Sequence, residues 1–335
     1  MQKIAIVTGI TGMDGGIISR QLLDLDYKIF GLVRRSSDSP NLKCAEGLQK
    51  EPNFEVVEGD LTDLSSLLRL VRLAKPHEIY NFASQSNVGT SFKEPIHTAQ
   101  VTGIGVLNML EAIRLSEIHS KFYQASTSEL MGGISEKPCN EDFIFHPKSP
   151  YAVSKLFGYW ITRCYRESYR MFTVNGVLFN HEHFSRGPNF VTRKISLGVA
   201  NIKVGNQDKL YLGNLDSRRD WGWAPDFVRG ARMMLQYKEP QDWVLATGET
   251  HSIREFCELA FKYAGLGDYQ NFVQIDPQFY RPNEVNVLIG DYSKAKRILG
   301  WEPTVKFEEL VKRMVDYDIE QMALDEILQK CSYSH

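Results

Sequence analysis

The chain has 335 residues, with 39 Lys+Arg against 41 Asp+Glu and 43% hydrophobic residues. This near-neutral balance is that of a soluble globular protein, and it excludes a basic nucleic-acid surface as the main feature. No apolar run approaches the ~18 residues that a membrane-spanning helix needs. The opening MQKIAIVTG enters strand-like sequence without an apolar leader, and the five cysteines (Cys44, Cys139, Cys164, Cys257, Cys331) are never CxxC-spaced. A cytoplasmic protein with reduced thiols, no disulfide frame and no zinc site is expected.

In chain order, residues 3–7, 28–33, 54–57, 78–82, 121–125 and 174–179 read as buried strands. Amphipathic stretches at 17–25, 65–73, 106–115 and 151–169 read as helices between them. Strands alternating with helices predict a Rossmann-like, doubly wound parallel sheet of the α/β class. Beyond residue 179 the rhythm changes. A loop at 180–189 leads to helices at 191–204, 227–235, 253–264, 293–299 and 307–321, with short strands at 209–212 and 243–246. This predicts a nucleotide-binding domain over 1–180 and a smaller α/β lobe, mainly for a second ligand, over 181–330. No Gly/Ser or Pro-rich linker divides them, so the chain can cross between lobes. Residues 328–335 read as a frayed tail.

The first strand runs into Thr8-Gly9-Ile10-Thr11-Gly12-Met13-Asp14-Gly15, then a helix. Glycines three apart permit a tight turn and aim the helix N-terminus at a pyrophosphate. Strand, turn and helix in that order mark a dinucleotide site, with Gly9, Ile10, Thr11, Gly12, Met13 and Asp14 as contacts. The second strand ends Arg34-Arg35-Ser36-Ser37, where an NAD site would carry an acid for the ribose diol. Two guanidiniums and two hydroxyls suit a 2′-phosphate instead, so NADP is the expected cofactor. Asp60 and Leu61 end the third strand, where a carboxylate can meet the adenine amine. Phe82, Ala83, Ser84, Gln85 and Ser86 end the fourth, beside the expected pyrophosphate and nicotinamide ribose.

Tyr151 and Lys155 stand at i and i+4, which places them on one helix face. A neighbouring ammonium favours the phenolate and makes the tyrosine a usable base. A separate polar strand end, Ala125-Ser126-Thr127-Ser128-Glu129, precedes them. Thr127 and Glu129 share a parity in extended chain, so both can face one ligand. This order of motifs resembles the extended short-chain dehydrogenase/reductase superfamily. The blocks GITGMDG, VRRSS, YQASTSELMG, PYAVSK, LFNHE, RGPNFVTRKI, LGNLDSRRDWG, ATGETHSIREF and YRPNEV narrow it, because together they resemble the GDP-mannose 4,6-dehydratase family. The likeness runs in order to about Asp318.

That resemblance implies a lyase converting GDP-mannose to GDP-4-keto-6-deoxymannose. Tyr151 and Lys155 would serve oxidation at C4, Thr127 would polarise O4, and Glu129 would be the C5 base and proton donor. His97, His181 and Arg186 would join the cofactor contacts. Ser86, Asn180, Val191, Lys194, Arg219, Arg281 and Glu284 would hold the substrate, and a homodimer or homotetramer is implied. His181-Glu182-His183 lacks metal-site spacing, so no metal is expected. The alternatives are a GDP-heptose substrate, a nucleotide-sugar epimerase or 4-keto reductase, and a non-catalytic NADP sensor. Against the family pattern, Met13 stands for glutamine, Gly16 for serine, Asn87 for histidine, His97 for tyrosine and Met131 for tyrosine. Met13, Asn87 and Met131 bear on the sugar pocket.

Overall fold

The computed structural model describes residues 2–34, 44, 47–134 and 137–332. Its first half is built from β1 (Ile4–Thr8), α1 (Met13–Leu23), β2 (Lys28–Val33), β3 (Phe54–Glu58), α2 (Leu64–Ala74) and β4 (Glu78–Asn81). Then come α3 (Val88–Lys93), α4 (Pro95–Thr98), a π-helical segment (Ala99–Ile104), α5 (Gly105–Ser116), β5 (Lys121–Thr127), α6 (Pro150–Tyr169) and β6 (Thr173–Leu178). The second half runs β7 (Asn180–Glu182), α7 (Val191–Lys203), β8 (Leu210–Leu212), β9 (Arg218–Arg219), β10 (Trp221–Trp223) and α8 (Ala224–Gln236). It ends β11 (Asp242–Leu245), β12 (His251–Ser252), α9 (Ile253–Ala264), β13 (Val273–Ile275), α10 (Ser293–Leu299) and α11 (Phe307–Ser332).

Seven parallel strands form the central sheet in the order β11-β6-β5-β4-β1-β2-β3. The order reverses at β1, and the crevice between the carboxyl ends of β1 and β4 is where such sheets bind ligands. Each face is buried, which is why the strands read as apolar runs. Ile6, Ile79 and Phe122 lie under α2 and α5 with Leu67, Leu70 and Leu110. On the other face, Val7 and Tyr123 pack with Ile18 and Leu22 of α1 and with Ala231 and Met234 of α8. A separate core joins α7, α9 and α11 through Val199, Phe256, Phe261, Leu310 and Met314.

Local signals explain the helix starts. Ser149 caps α6 by accepting from the Ala152 amide, with Pro150 at the first helical position. Ser252 and Glu255 form a reciprocal capping box on α9.

Four features depart from the sequence reading. The helix and strand expected near 227–235 and 243–246 return to the central sheet, where β11 pairs with β6 from Asp242↔Asn175 to Leu245↔Leu178. Amphipathicity reveals that α8 has an apolar stripe, not which surface the stripe covers. The stretch 180–189, expected as loop, contains β7, which pairs with β10. Helix α1 starts at Met13 rather than near residue 17, because its first turn is the glycine-rich phosphate turn itself. Helix α11 continues to Ser332, into the segment expected to fray.

Candidate active site

The glycine turn is fixed by close approach. Gly9 has φ +72°, and a Cβ there would lie 2.8 Å from the Ala83 amide nitrogen. A Cβ on Gly15 would lie 2.2 Å from the Gly9 carbonyl oxygen, to which the Gly12 amide donates at 2.9 Å. The backbone is therefore bare at the start of α1, as a pyrophosphate cradle requires. Gly16 has its own reason: a Cβ would sit 2.0 Å from the Cys44 carbonyl oxygen.

From this turn a cavity of about 1220 Å³ runs to the second lobe. Gly9, Thr11, Gly12, Met13, Asp14, Arg34, Asp60, Leu61, His97, Arg186 and residues 82–86 line its first part. Thr127, Glu129, Tyr151, Lys155, Asn180 and His181 line its middle, and Val191, Lys194, Arg219, Arg281 and Glu284 its far part. Ile10 is the exception: it does not line the cavity, because its side chain is fully buried in the core behind the turn. Arg35, Ser36 and Ser37 lie outside the described residues.

Tyr151 and Lys155 are both buried on α6 beside the end of β5. Lys155 Nζ lies 5.8 Å from the Tyr151 ring centroid and donates to the Ala125 carbonyl at 2.9 Å. Burial pushes the Tyr151 phenol up to about 12, with a hydrogen bond to Thr127 pulling the other way. Burial lowers Lys155 to about 8, opposed by the Asp14 carboxylate. In the protein alone, desolvation thus outweighs the expected help from the ammonium. Thr127 Oγ1 accepts from the Glu129 amide at 3.2 Å, which ties the two residues into one tight corner.

Glu129 is nearly buried, and its carboxylate faces Arg281 Nη1 at 3.5 Å. Arg219 is buried alongside, 3.4 Å from Glu284; burial lowers its pKa, opposed by the Glu129 charge. Lys194 Nζ sits 3.3 Å from the Phe279 ring centroid. Two arginines therefore pair with two carboxylates, and Lys194 lines the same part of the cavity, an arrangement suited to a dianionic group with an adjoining polar ring. Two buried polar atoms at this cavity, Ser126 Oγ and Asn180 Oδ1, have no hydrogen-bond partner, while Arg186 Nε and Arg281 Nη1 have only ion-pair contacts, to Glu182 at 3.4 Å and Glu129 at 3.5 Å. Orphaned buried groups are costly, and a polar ligand would satisfy them.

The His181-Glu182-His183 stretch divides among different partners. His181 Nδ1 meets the Phe179 carbonyl at 2.8 Å and Nε2 the Asp14 carboxylate at 3.1 Å. Glu182 accepts from the Thr192 hydroxyl, and His183 Nδ1 meets Ser185 Oγ. Among the described residues, no group of three or more His, Cys, Asp or Glu side chains is arranged to hold a metal ion. Of the departures, Met13 and Asn87 line the cavity, but Asn87 Oδ1 is engaged in capping α3 through the Thr90 amide. Met131 is buried in the core behind the site. The Glu129–Arg281 contact escaped sequence reasoning, since nothing local links a strand end to a loop so far along the chain.

The profile of the family described as GDP-mannose 4,6 dehydratase matches residues 6–314. GDP-mannose 4,6 dehydratase 1 of Arabidopsis thaliana is 46% identical over 342 residues, covering 99% of this chain and 94% of that protein. The human GDP-mannose 4,6 dehydratase is 46% identical over 345 residues, covering 96% of this chain and 92% of its own length. In architecture the chain is similar to DesIV of Streptomyces venezuelae, a dTDP-glucose 4,6-dehydratase solved with NAD and TYD bound. The TM-score is 0.84 at 23% identity, with 96% of this chain and 98% of that one covered, a likeness of fold. The cradle, the Tyr151/Lys155 pair beside Glu129 and the full-length sequence match agree, and the chain belongs to the GDP-mannose 4,6-dehydratase family.

Proposed function

We propose that the protein is a hydro-lyase that converts GDP-mannose to GDP-4-keto-6-deoxymannose with a bound NADP. The observation that carries this reading is Glu129, a carboxylate in the same buried corner as Tyr151, Lys155 and Thr127. A C4 oxidation or epimerisation needs the tyrosine and the lysine but leaves a carboxylate idle.

The glycine turn, Asp60 and residues 82–86 would hold the dinucleotide, with Arg34 and the adjoining Arg35, Ser36 and Ser37 on a 2′-phosphate. A bound nicotinamide supplies reversible hydride exchange with the sugar. Tyr151 takes the proton of the C4 hydroxyl, and Lys155 opposes the burial that disfavours its phenolate. Thr127 donates to O4 and keeps the sugar in register. The resulting ketone acidifies C5–H, and Glu129 removes that proton. Handed on to the C6 hydroxyl, the same proton lets it leave as water. The proton restored to C5 balances the one that Tyr151 took from O4. Lys194, Arg219 and Arg281 neutralise the diphosphate, while Glu284 accepts from guanine N–H groups.

A homodimer is supported by an apolar stripe on α6. Val153, Phe157 and Trp160 are 55%, 40% and 50% exposed at helical spacing, a patch that a second copy of α6 would cover. A cytoplasmic location accords with the composition; no helix among the described residues is long and apolar enough to cross a membrane. The test is an incubation with GDP-mannose, NADP and no added reductant. A 4-keto-6-deoxy product without net cofactor reduction is expected. Net reduction, or a C4 epimer, would contradict the reading.

A further inference from the structure

On five of the seven strands, from β1 to β11, the rung Thr8↔Asn81↔Gln124↔Asn175↔Asp242 is polar at every position. Two residues earlier on the same face, Ile6↔Ile79↔Phe122 is apolar over β1, β4 and β5, before Thr173 follows on β6. Thr8, Asn81 and Asn175 are fully buried, and Gln124 is nearly so. Burying such groups costs free energy unless each is paired, so a polar rung inside an apolar sheet needs a reason.

The bonds on the β1–β4–β5 side run one way. The Ala83 amide donates to Thr8 Oγ1 at 3.1 Å, and the Thr8 hydroxyl donates to Asn81 Oδ1 at 2.6 Å. Asn81 Nδ2 donates to Gln124 Oε1 at 2.7 Å, and Gln124 Nε2 donates to the Ala125 carbonyl at 2.8 Å. That carbonyl is the acceptor of Lys155 Nζ. A backbone N–H can only donate and a carbonyl can only accept, so the two ends fix every rotamer between them. The first end lies against Gly9, in the phosphate turn; the second holds the catalytic ammonium.

We infer that Thr8, Asn81 and Gln124 form a one-way hydrogen-bond chain that positions Lys155 by fixing and sharing the Ala125 carbonyl. They are positioning residues, since none is proposed to touch substrate. The inference rests on the role of Lys155 in the proposed reaction. The Gln124 amide hydrogen presents partial positive charge at the oxygen that the ammonium also uses, and the other charged or titratable groups facing Lys155 are Asp14 and Tyr151. Removing that hydrogen frees the carbonyl for Lys155 and favours its charged form.

The test follows the titration of Lys155 in the ligand-free protein by NMR of isotopically labelled lysine, with Lys155→Met identifying the signal. Gln124→Met keeps the volume and removes both bonds. The expected result is a midpoint raised by at least about half a unit, with kcat lowered about tenfold and KM for GDP-mannose within about twofold. Thr8→Val, nearly isosteric, should shift the midpoint the same way by less, and Thr8→Ser should restore it; this pair carries the test alone if Gln124→Met does not fold. Wild-type midpoints in the folded variants would overturn the inference. The titration needs no substrate, so its outcome is separate from whether the wild-type protein dehydrates GDP-mannose.

Discussion

Arg281 Nη1 stands 3.5 Å from the Glu129 carboxylate, so the group read as a phosphate clamp also faces the group read as the C5 base. The two roles are linked by charge. A diphosphate arriving at this guanidinium competes with the Glu129 carboxylate for it. Arg281→Ala should therefore raise KM for GDP-mannose by about tenfold or more, the scale of a lost charge-assisted bond. It should also slow solvent deuterium incorporation at C5 while leaving NADP affinity unchanged. Steady-state kinetics with mass analysis of the product checks all three, and equal damage to cofactor binding would place Arg281 elsewhere.

The proposed preference for NADP rests on the basic residues that follow β2 in the sequence. Arg35→Glu sets a carboxylate where a 2′-phosphate is expected, so it should weaken NADP by about 1.5–3 kcal/mol, on the scale of a hydrogen bond to a charged group. NAD, lacking that phosphate, should change far less. A fluorescence titration with each dinucleotide measures the difference.

Lys155 links function to stability. Its pKa is lowered by burial from the ordinary 10.5 to about 8. The folded state therefore binds fewer protons than the unfolded state between those values, and this group adds stability as pH rises through that window. Below about 8 the buried ammonium costs up to about 3 kcal/mol relative to high pH. Lys155→Met should stabilise the ligand-free protein at neutral pH, abolish turnover, and lose its stability advantage towards pH 10.5. Denaturant unfolding across pH checks the sign, since wild-type stability independent of pH in that window would contradict it.

Gly16 tests a departure from the family pattern. Serine at this position would place a Cβ 2.0 Å from the Cys44 carbonyl oxygen, a backbone atom. Gly16→Ser should destabilise by about 1–3 kcal/mol, as overpacking does, and loosen the glycine turn that Gly16 adjoins. Thermal unfolding with an NADP titration measures both.

The parts legible in the sequence are those with local physical signatures. The run into Gly9-Ile10-Thr11-Gly12 announces its turn because only bare backbone permits the approach to Ala83. The i, i+4 spacing of Tyr151 and Lys155 is helical geometry written directly in the chain. What stayed hidden depends on distant partners. Trp243 and Val244 have the same apolar character in either lobe, and only the pairing of β11 with β6 decides between them. Asn81 and Gln124 resemble ordinary polar strand residues until register places them side by side. Asn87 lines the cavity, and its side-chain oxygen also caps α3.

The central claim is that Glu129 is the base at C5, and Glu129→Gln tests it most directly. The amide keeps the size and the bond between Thr127 and the residue-129 backbone, while losing the ability to accept a proton. Tyr151 and Lys155 are untouched, so binding and C4 oxidation should persist. The decisive measurement is the rate of deuterium incorporation at C5 in heavy water, together with the rate of water loss. Both should fall by about 10²-fold or more, the scale of a positioned general base, with KM little changed. Wild-type exchange and turnover in Glu129→Gln would contradict it.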